Sequence, residues 1–227
     1  MTRGDIDIIR RAGARRLRLA VDPVSGAVRL TLPKRAALGP ALEWVESQAP
    51  WIAAQRARLP QPTPFVPGAS FPFGDSRLTI DWAADRPRRV ERIGDRLMVG
   101  GPAVGLAARV TAWLKREALA VLTAETHEFA ARLGVSVAKV AVGDPRSRWG
   151  SCAASGAIRY SWRLILAPAR VRRATVAHEV AHRVHMHHGP AFHALVAELV
   201  GRDAAVARAW LRREGVGLHW LGRDSVG

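Results

Sequence analysis

The chain holds a single cysteine, Cys152, among 227 residues, so no disulfide forms within it and its stability must come from a buried core. No apolar stretch approaches the roughly 20 residues needed to cross a bilayer. The first twenty residues, MTRGDIDIIRRAGARRLRLA, interleave charges every few positions and carry no apolar h-region of a secretory signal. These absences predict a cytoplasmic protein with no membrane partner. Lysine is scarce too: only Lys34, Lys115 and Lys139 among 35 basic residues, the rest being arginine, against 19 acidic residues and a formal charge of +16. Such an imbalance attracts polyanions. Arginine clusters at Arg10, Arg11, Arg15, Arg16 and Arg18, at Arg86, Arg88, Arg89, Arg92 and Arg96, and at Arg170, Arg172 and Arg173 make nucleic acid a candidate partner. Abundant alanine beside arginine also fits a compositional bias and a solvated surface.

Hydrophobic residues make up 48% of the chain, enough to fill one large domain or two small ones. RLRLAVD (16–22) and AVRLTLP (27–33) alternate apolar and polar residues around Pro23, Ser25 and Gly26, which predicts a hairpin. Residues 37–59 turn helical, with Pro50 opening a second short helix after Ser47. Four prolines, Pro60, Pro62, Pro64 and Pro67, then exclude an interior strand or helix and mark an extended connector. Strands are expected over 77–83, 88–93 and 96–99, the last two joined at Gly94-Asp95, and a long helix over 104–133 that Gly134 closes. Residues 135–142, 147–152 and 157–166 read as three more strands. A helix follows from Pro168 to about residue 186, with Val176, Val180 and Val184 on one stripe, and Gly189-Pro190 separates it from a further helix carrying Phe192, Leu195, Val196 and Leu199. The fold expected is α+β: a β-rich part over 1–102 and a helix-centred unit over 103–227.

Six of the eight histidines fall in VAHEVAHRVHMHHGPAFH (176–193). His178 and His182 are four apart, so on a helix they project from one face as a pair able to grip one Zn2+ ion. Glu179, between them in H-E-V-A-H, can reach a metal-bound water without occupying the metal. His185 lies about 10 Å beyond His178 on a continuous helix, which suits tetrahedral geometry poorly. His187 would point away from the pair, whereas His188 directly precedes the Gly189-Pro190 break, where the chain can turn back toward the metal. His188 is therefore the expected third ligand, with Glu198 of the next helix as the alternative.

HEVAHRVHMHHGPAF (178–192) resembles the H-E-x-x-H-x5-H-x3-F signature of the YgjP-like zinc metallopeptidases, relatives of the SprT-like proteases. SRWGSC (147–152) is similar to a second segment of that family, and RRLRLAVD...VRLTLP...W extends the likeness over most of the chain. The resemblance implies His178, His182 and His188 as zinc ligands, Glu179 as the catalytic residue and a zincin-like unit around the H-E-x-x-H helix. Three neutral imidazoles leave a fourth zinc position for water, from which Glu179 would take a proton during attack on a carbonyl. The reaction expected is peptide-bond hydrolysis, with a peptide or protein as substrate. In zincin-like folds an edge strand aligns an extended peptide, a part open to SRWGSC or AIRYSW. Arg148, Arg159 and Tyr160 offer donors for the oxyanion, and Trp149 is a candidate for the cleft wall. The other reading is an arginine-rich nucleic-acid-binding protein with a structural zinc, which an intact Glu179 and an open fourth position disfavour.

Overall fold

A computed structural model of the chain describes residues 6–224. The chain parts into two compact units between Gln61 and Pro62, inside the proline run; the boundary anticipated at 102/103 runs within the second unit. The outermost residues of the anticipated parts, 1–5 and 225–227, lie outside the described residues.

In the first unit β2 (Arg18–Val21) and β3 (Val28–Pro33) pair antiparallel as the hairpin required. Its turn is held by the Asp22 carboxylate, which accepts from the backbone N–H groups of Val24 and Ser25 at 2.9 and 2.8 Å. The sequence reading did not include β1 (Ile6–Arg11), which adds parallel to β3. The helical stretch divides into α1 (Leu38–Ser47) and α2 (Ala49–Arg56), with Pro50 in the first turn of α2. Val28, Leu30 and Leu32 of β3 form a small core with Ala41, Leu42, Val45 and Ile52.

The second unit opens with a four-stranded sheet in the order β4 (Ser70–Phe73), β5 (Ser76–Ala83), β7 (Arg96–Gly100), β6 (Val90–Ile93). Strand β4, SFPF, is too short and proline-containing to be read from pattern; Pro72 is tolerated because β4 is an edge. Phe71, Leu78, Ile80, Leu97 and Val99 share one core with Val110, Trp113 and Leu114 of α3 (Leu106–Leu133). Gly134 ends α3 in the left-handed region at φ 63°, a conformation that glycine adopts without steric cost.

A second sheet runs β8 (Lys139–Gly143), β10 (Ala157–Ser161), β9 (Gly150–Cys152), with β10 parallel to β8 and antiparallel to β9. The segment expected as one strand to residue 166 stops at Ser161, whose hydroxyl accepts from the Arg163 N–H at 3.3 Å and opens a buried 3-10 turn, Trp162–Leu166. Arg163 points inward, pairing with Asp144 at 2.8 and 3.0 Å and donating to the carbonyls of Leu218 and Leu221. That clamp fixes the end of α6 (Asp203–Leu218), a helix absent from the sequence reading.

Helix α4 (Ala169–Ala181) lies against α3, α6, β9 and α5 (Pro190–Val200), which makes it the centre of the unit. Arg172 of α4 reaches Glu125 of α3 in a bidentate pair at 2.8 to 3.2 Å, with only 11% and 8% of the two side chains exposed. Removing one partner leaves a charge desolvated and uncompensated, so Arg172→Met should lower stability by about 3–5 kcal/mol. Denaturant unfolding checks this, and Arg172→Met combined with Glu125→Leu should recover most of the loss. No helix among the described residues is long and apolar enough to cross a membrane.

Candidate metal centre

Helix α4 buries Val171, Ala174, Val176, Ala177, Val180 and Ala181, and this apolar packing leaves Thr175, His178 and Glu179 on the wall of a cavity. The helix ends at Ala181, five residues before the end that periodicity predicts. Three hydrogen bonds, two tertiary and one local, account for the early stop. The Arg183 guanidinium donates to the carbonyls of Ser136 and Ala154, drawing the chain sideways. The His185 carbonyl, which in a longer helix would accept from Gly189, sits 3.1 Å from His182 Nδ1. Val184, expected on the buried stripe, is consequently 45% exposed.

This turn arranges the histidines. A carbonyl can only accept, so His182 Nδ1 carries the proton and its Nε2 keeps a lone pair. Residues 182–189 then bring His188 back until its Nε2 stands 3.1 Å from Nε2 of His178. One ring nitrogen from each of His178, His182 and His188 lies within 4.8 Å of the other two. Phe192, 1% exposed on α5, supports all three rings, with centroids 4.9, 4.6 and 4.8 Å from its own. Burial, then the neighbouring His182 and His188, pushes His178 down to about 4, and burial also lowers His182. At neutral pH both imidazoles are therefore neutral and offer lone pairs. Such a donor set fits a metal cation.

Glu179 is 6% exposed and burial pushes its carboxyl up to about 7, with Arg148 pulling weakly the other way. Its closeness to β9 depends on Gly150: a Cβ built there would stand 2.5 Å from Glu179 Oε1 and 2.7 Å from its Cδ. Gly150→Ala should therefore displace the Glu179 carboxylate while leaving the histidines in place. The expected result is that any reaction relying on Glu179 slows by about tenfold or more, since small misplacements of a reacting group are costly, with metal content unchanged. Steady-state kinetics alongside metal analysis checks it.

The cavity encloses ≈ 390 Å³ beside His178 and Glu179, and Arg148 and Trp149 are among the residues that line it. Trp149 is wedged by His219, 5.2 Å from its ring, and by Gly215, where a Cβ would meet the indole at 2.7 Å. Arg159 and Tyr160 are not brought to this cavity. Arg159 lines an adjoining groove with Lys139, Cys152 and Arg148, which borders both, and Tyr160 is fully buried, its hydroxyl 3.0 Å from that of Thr126. Burial raises the Tyr160 phenol well above its ordinary value. Of the two segments considered for a peptide-aligning edge, β10 is paired on both sides, while β9 pairs only with β10 and lies against α4. His187 and Glu198 are exposed and stand outside the three-histidine group.

Sequence reasoning missed Gly150 as the seat of Glu179 and missed every residue of α6 that shapes the cavity, including Ala207, Arg208 and Leu211. The signal was present: Ala204, Ala207, Leu211, Gly215 and Leu218 recur at helical spacing after Asp203.

Several arginines that suggested a polyanion surface are engaged within the chain, Arg86 and Arg96 with Asp81, Arg172 with Glu125 and Arg173 with Glu128. The comparisons add no nucleic-acid partner. No curated protein and no solved structure matches the chain. The family model for the YgjP-like metallopeptidase domain matches residues 15–214, a span that takes in the three histidines, Glu179 and the cavity-lining part of α6. The chain thus belongs to the YgjP-like metallopeptidase family, for which the substrates are peptides or proteins and a metal is the implied cofactor.

Proposed function

We propose that the protein is a zinc-dependent peptidase with a zincin-like catalytic unit, in which His178, His182 and His188 hold the metal and Glu179 is the general base. The observation that carries this reading is a buried carboxylate that follows the first of three converging imidazoles in sequence and lines one cavity together with it. The 3.1 Å between the His178 and His188 nitrogens is close to the roughly 3.3 Å expected of two nitrogens sharing a tetrahedral zinc. Zinc bound there would supply Lewis acidity, lowering the pKa of a coordinated water toward about 7 and polarising the scissile carbonyl.

The remaining chemistry belongs to the chain. Glu179, with its carboxyl raised to about 7, is poised to take a proton from the attacking water and deliver it to the departing amine nitrogen. The His182 Nδ1 bond to the His185 carbonyl holds that ring in one tautomer. Strand β9 has an unpaired edge along which an extended peptide can align by backbone hydrogen bonds. Arg148, on the cavity wall, is a donor available to a substrate oxygen. A reducing cytoplasm is the proposed setting.

The test is metal analysis of the purified protein together with cleavage of a peptide library. About one zinc per chain is expected, as a single three-histidine site requires, with cleavage lost on chelation and restored by zinc. Protein that binds no zinc at neutral pH, or that cleaves no peptide when loaded, would overturn the proposal.

A further inference from the structure

We infer that the cavity beside Glu179 recognises a bulky apolar side chain lying next to a free carboxylate, an inference that rests on the peptidase reading for its place in catalysis but not for its binding chemistry. The floor of the cavity is apolar: Ala174 of α4, Val196 of α5 and Ala207 of α6 are 3, 5 and 4% exposed. Three helices converge there through alanines, whose short side chains leave the space that leucines would fill. Trp149 adds a flat aromatic wall. A volume of ≈ 390 Å³ is within the range of small-ligand pockets, roughly 300–1,000 Å³, and accommodates a side chain of leucine or phenylalanine size.

The mouth has the opposite character. Arg148 and Arg208 line the cavity from exposed positions, and neither forms an ion pair with a described residue. Other arginines of the same unit, among them Arg86, Arg96, Arg163, Arg172 and Arg173, each have a carboxylate partner. Glu179 is the sole acidic residue of the lining, and the proposed mechanism uses it as a base. Two guanidinium groups with no carboxylate at ion-pair distance, though Arg148 feels the Glu179 charge, stand at the rim of an apolar hole and complement an anionic oxygen pair attached to an apolar body, because guanidinium and carboxylate form paired, charge-assisted hydrogen bonds. The carboxylate can come from a chain terminus or from an acidic side chain beside the apolar residue. Both sources present the same chemistry to Arg148 and Arg208.

Three probes without a peptide bond separate binding from turnover. The metal-loaded protein is titrated calorimetrically with 3-phenylpropanoate, 3-phenylpropanamide and propanoate. The first should bind about tenfold more tightly than either of the others, the effect of one net charge-assisted bond or one buried ring. Arg208→Ala, a surface substitution, should bring the acid close to the affinity of the amide. Equal binding of acid and amide by the parent would overturn the inference. So would a preference for the acid that survives in both Arg208→Ala and Arg148→Ala, since the carboxylate would then sit on the metal.

A peptide series then identifies the source of the carboxylate: phenylalanine at a free C-terminus, the same peptide amidated, and internal phenylalanine followed by aspartate or by asparagine. Faster cleavage of the free acid over the amide assigns the chain terminus; faster cleavage of the aspartate peptide over the asparagine peptide assigns the side chain. Cleavage indifferent to both pairs would overturn the pocket assignment and leave the peptidase standing. Tight, arginine-dependent binding of 3-phenylpropanoate with no peptide cleaved would sink the peptidase and leave the pocket.

Discussion

Glu179→Gln should retain its metal and lose peptide hydrolysis by about 10²–10⁴-fold, the usual contribution of a positioned general base. Glutamine keeps the size of the side chain, so its fit against Gly150 survives, but an amide cannot take a proton from water. The same substitution should stabilise the metal-free protein at alkaline pH. A carboxyl raised from its ordinary value to about 7 by burial favours the protonated form in the fold. Its destabilising effect is absent below the unfolded value, grows as pH rises toward 7 and is complete above it. Glutamine carries no charge at any pH, so at pH 8 the metal-free variant should be more stable than the parent by about 3 kcal/mol. At pH 4 the two should be nearly equal. Thermal melts at both pH values, with turnover and metal content of the loaded proteins, check the two halves separately. A variant that cleaves peptides as well as the parent would remove Glu179 from the mechanism.

The second large effect separates neighbouring histidines. His188→Ala should weaken zinc binding by about 10²–10³-fold, the share of one ligand when roughly 10–16 kcal/mol is divided among four positions. His178→Ala and His182→Ala should do at least as much. His187→Ala should change nothing, because that side chain is exposed and outside the cluster. His185→Ala should also keep the metal, for a different reason: His185 contributes its backbone carbonyl to His182 Nδ1, and alanine preserves a carbonyl. Competition with a chelating dye gives all five affinities in one experiment. If His185→Ala released the metal while His188→Ala held it, the assignment of the third ligand would be wrong.

How much of this was legible follows from which interactions are local. The pairing of His178 with His182 is written in helix geometry, and Gly189-Pro190 announces a chain reversal that nominates His188. The end of α4 at Ala181 is not written locally, because Arg183 and Val184 continue a plausible helix. What stops it are carbonyls of Ser136 and Ala154, far away in the sequence. Tyr160 shows the same limit. Alternation places Ile158 and Tyr160 on one face of a strand, and both are buried, but that this face turns toward α3 and away from the cavity is a tertiary matter. The hydroxyl that made Tyr160 attractive as a donor finds Thr126 of α3 instead. Helix α6 could have been read from its spacing, yet its alanines and arginines make a weak apolar stripe. Its role in building the cavity wall has no sequence signature.

The turn between His182 and His188 has a further consequence for a chain whose lone cysteine excludes any internal disulfide. A cation gripped from both sides of the turn would act as a removable staple, closing a short loop and restricting the conformations open to the unfolded chain. Backbone amides of residues 183–189 would then exchange hydrogen slowly in the loaded protein and quickly in the stripped one, whereas amides in the middle of α3 would change little. Metal supply would thereby set the susceptibility of this one segment to proteolytic cutting, and the lifetime of the protein would follow the availability of the cation.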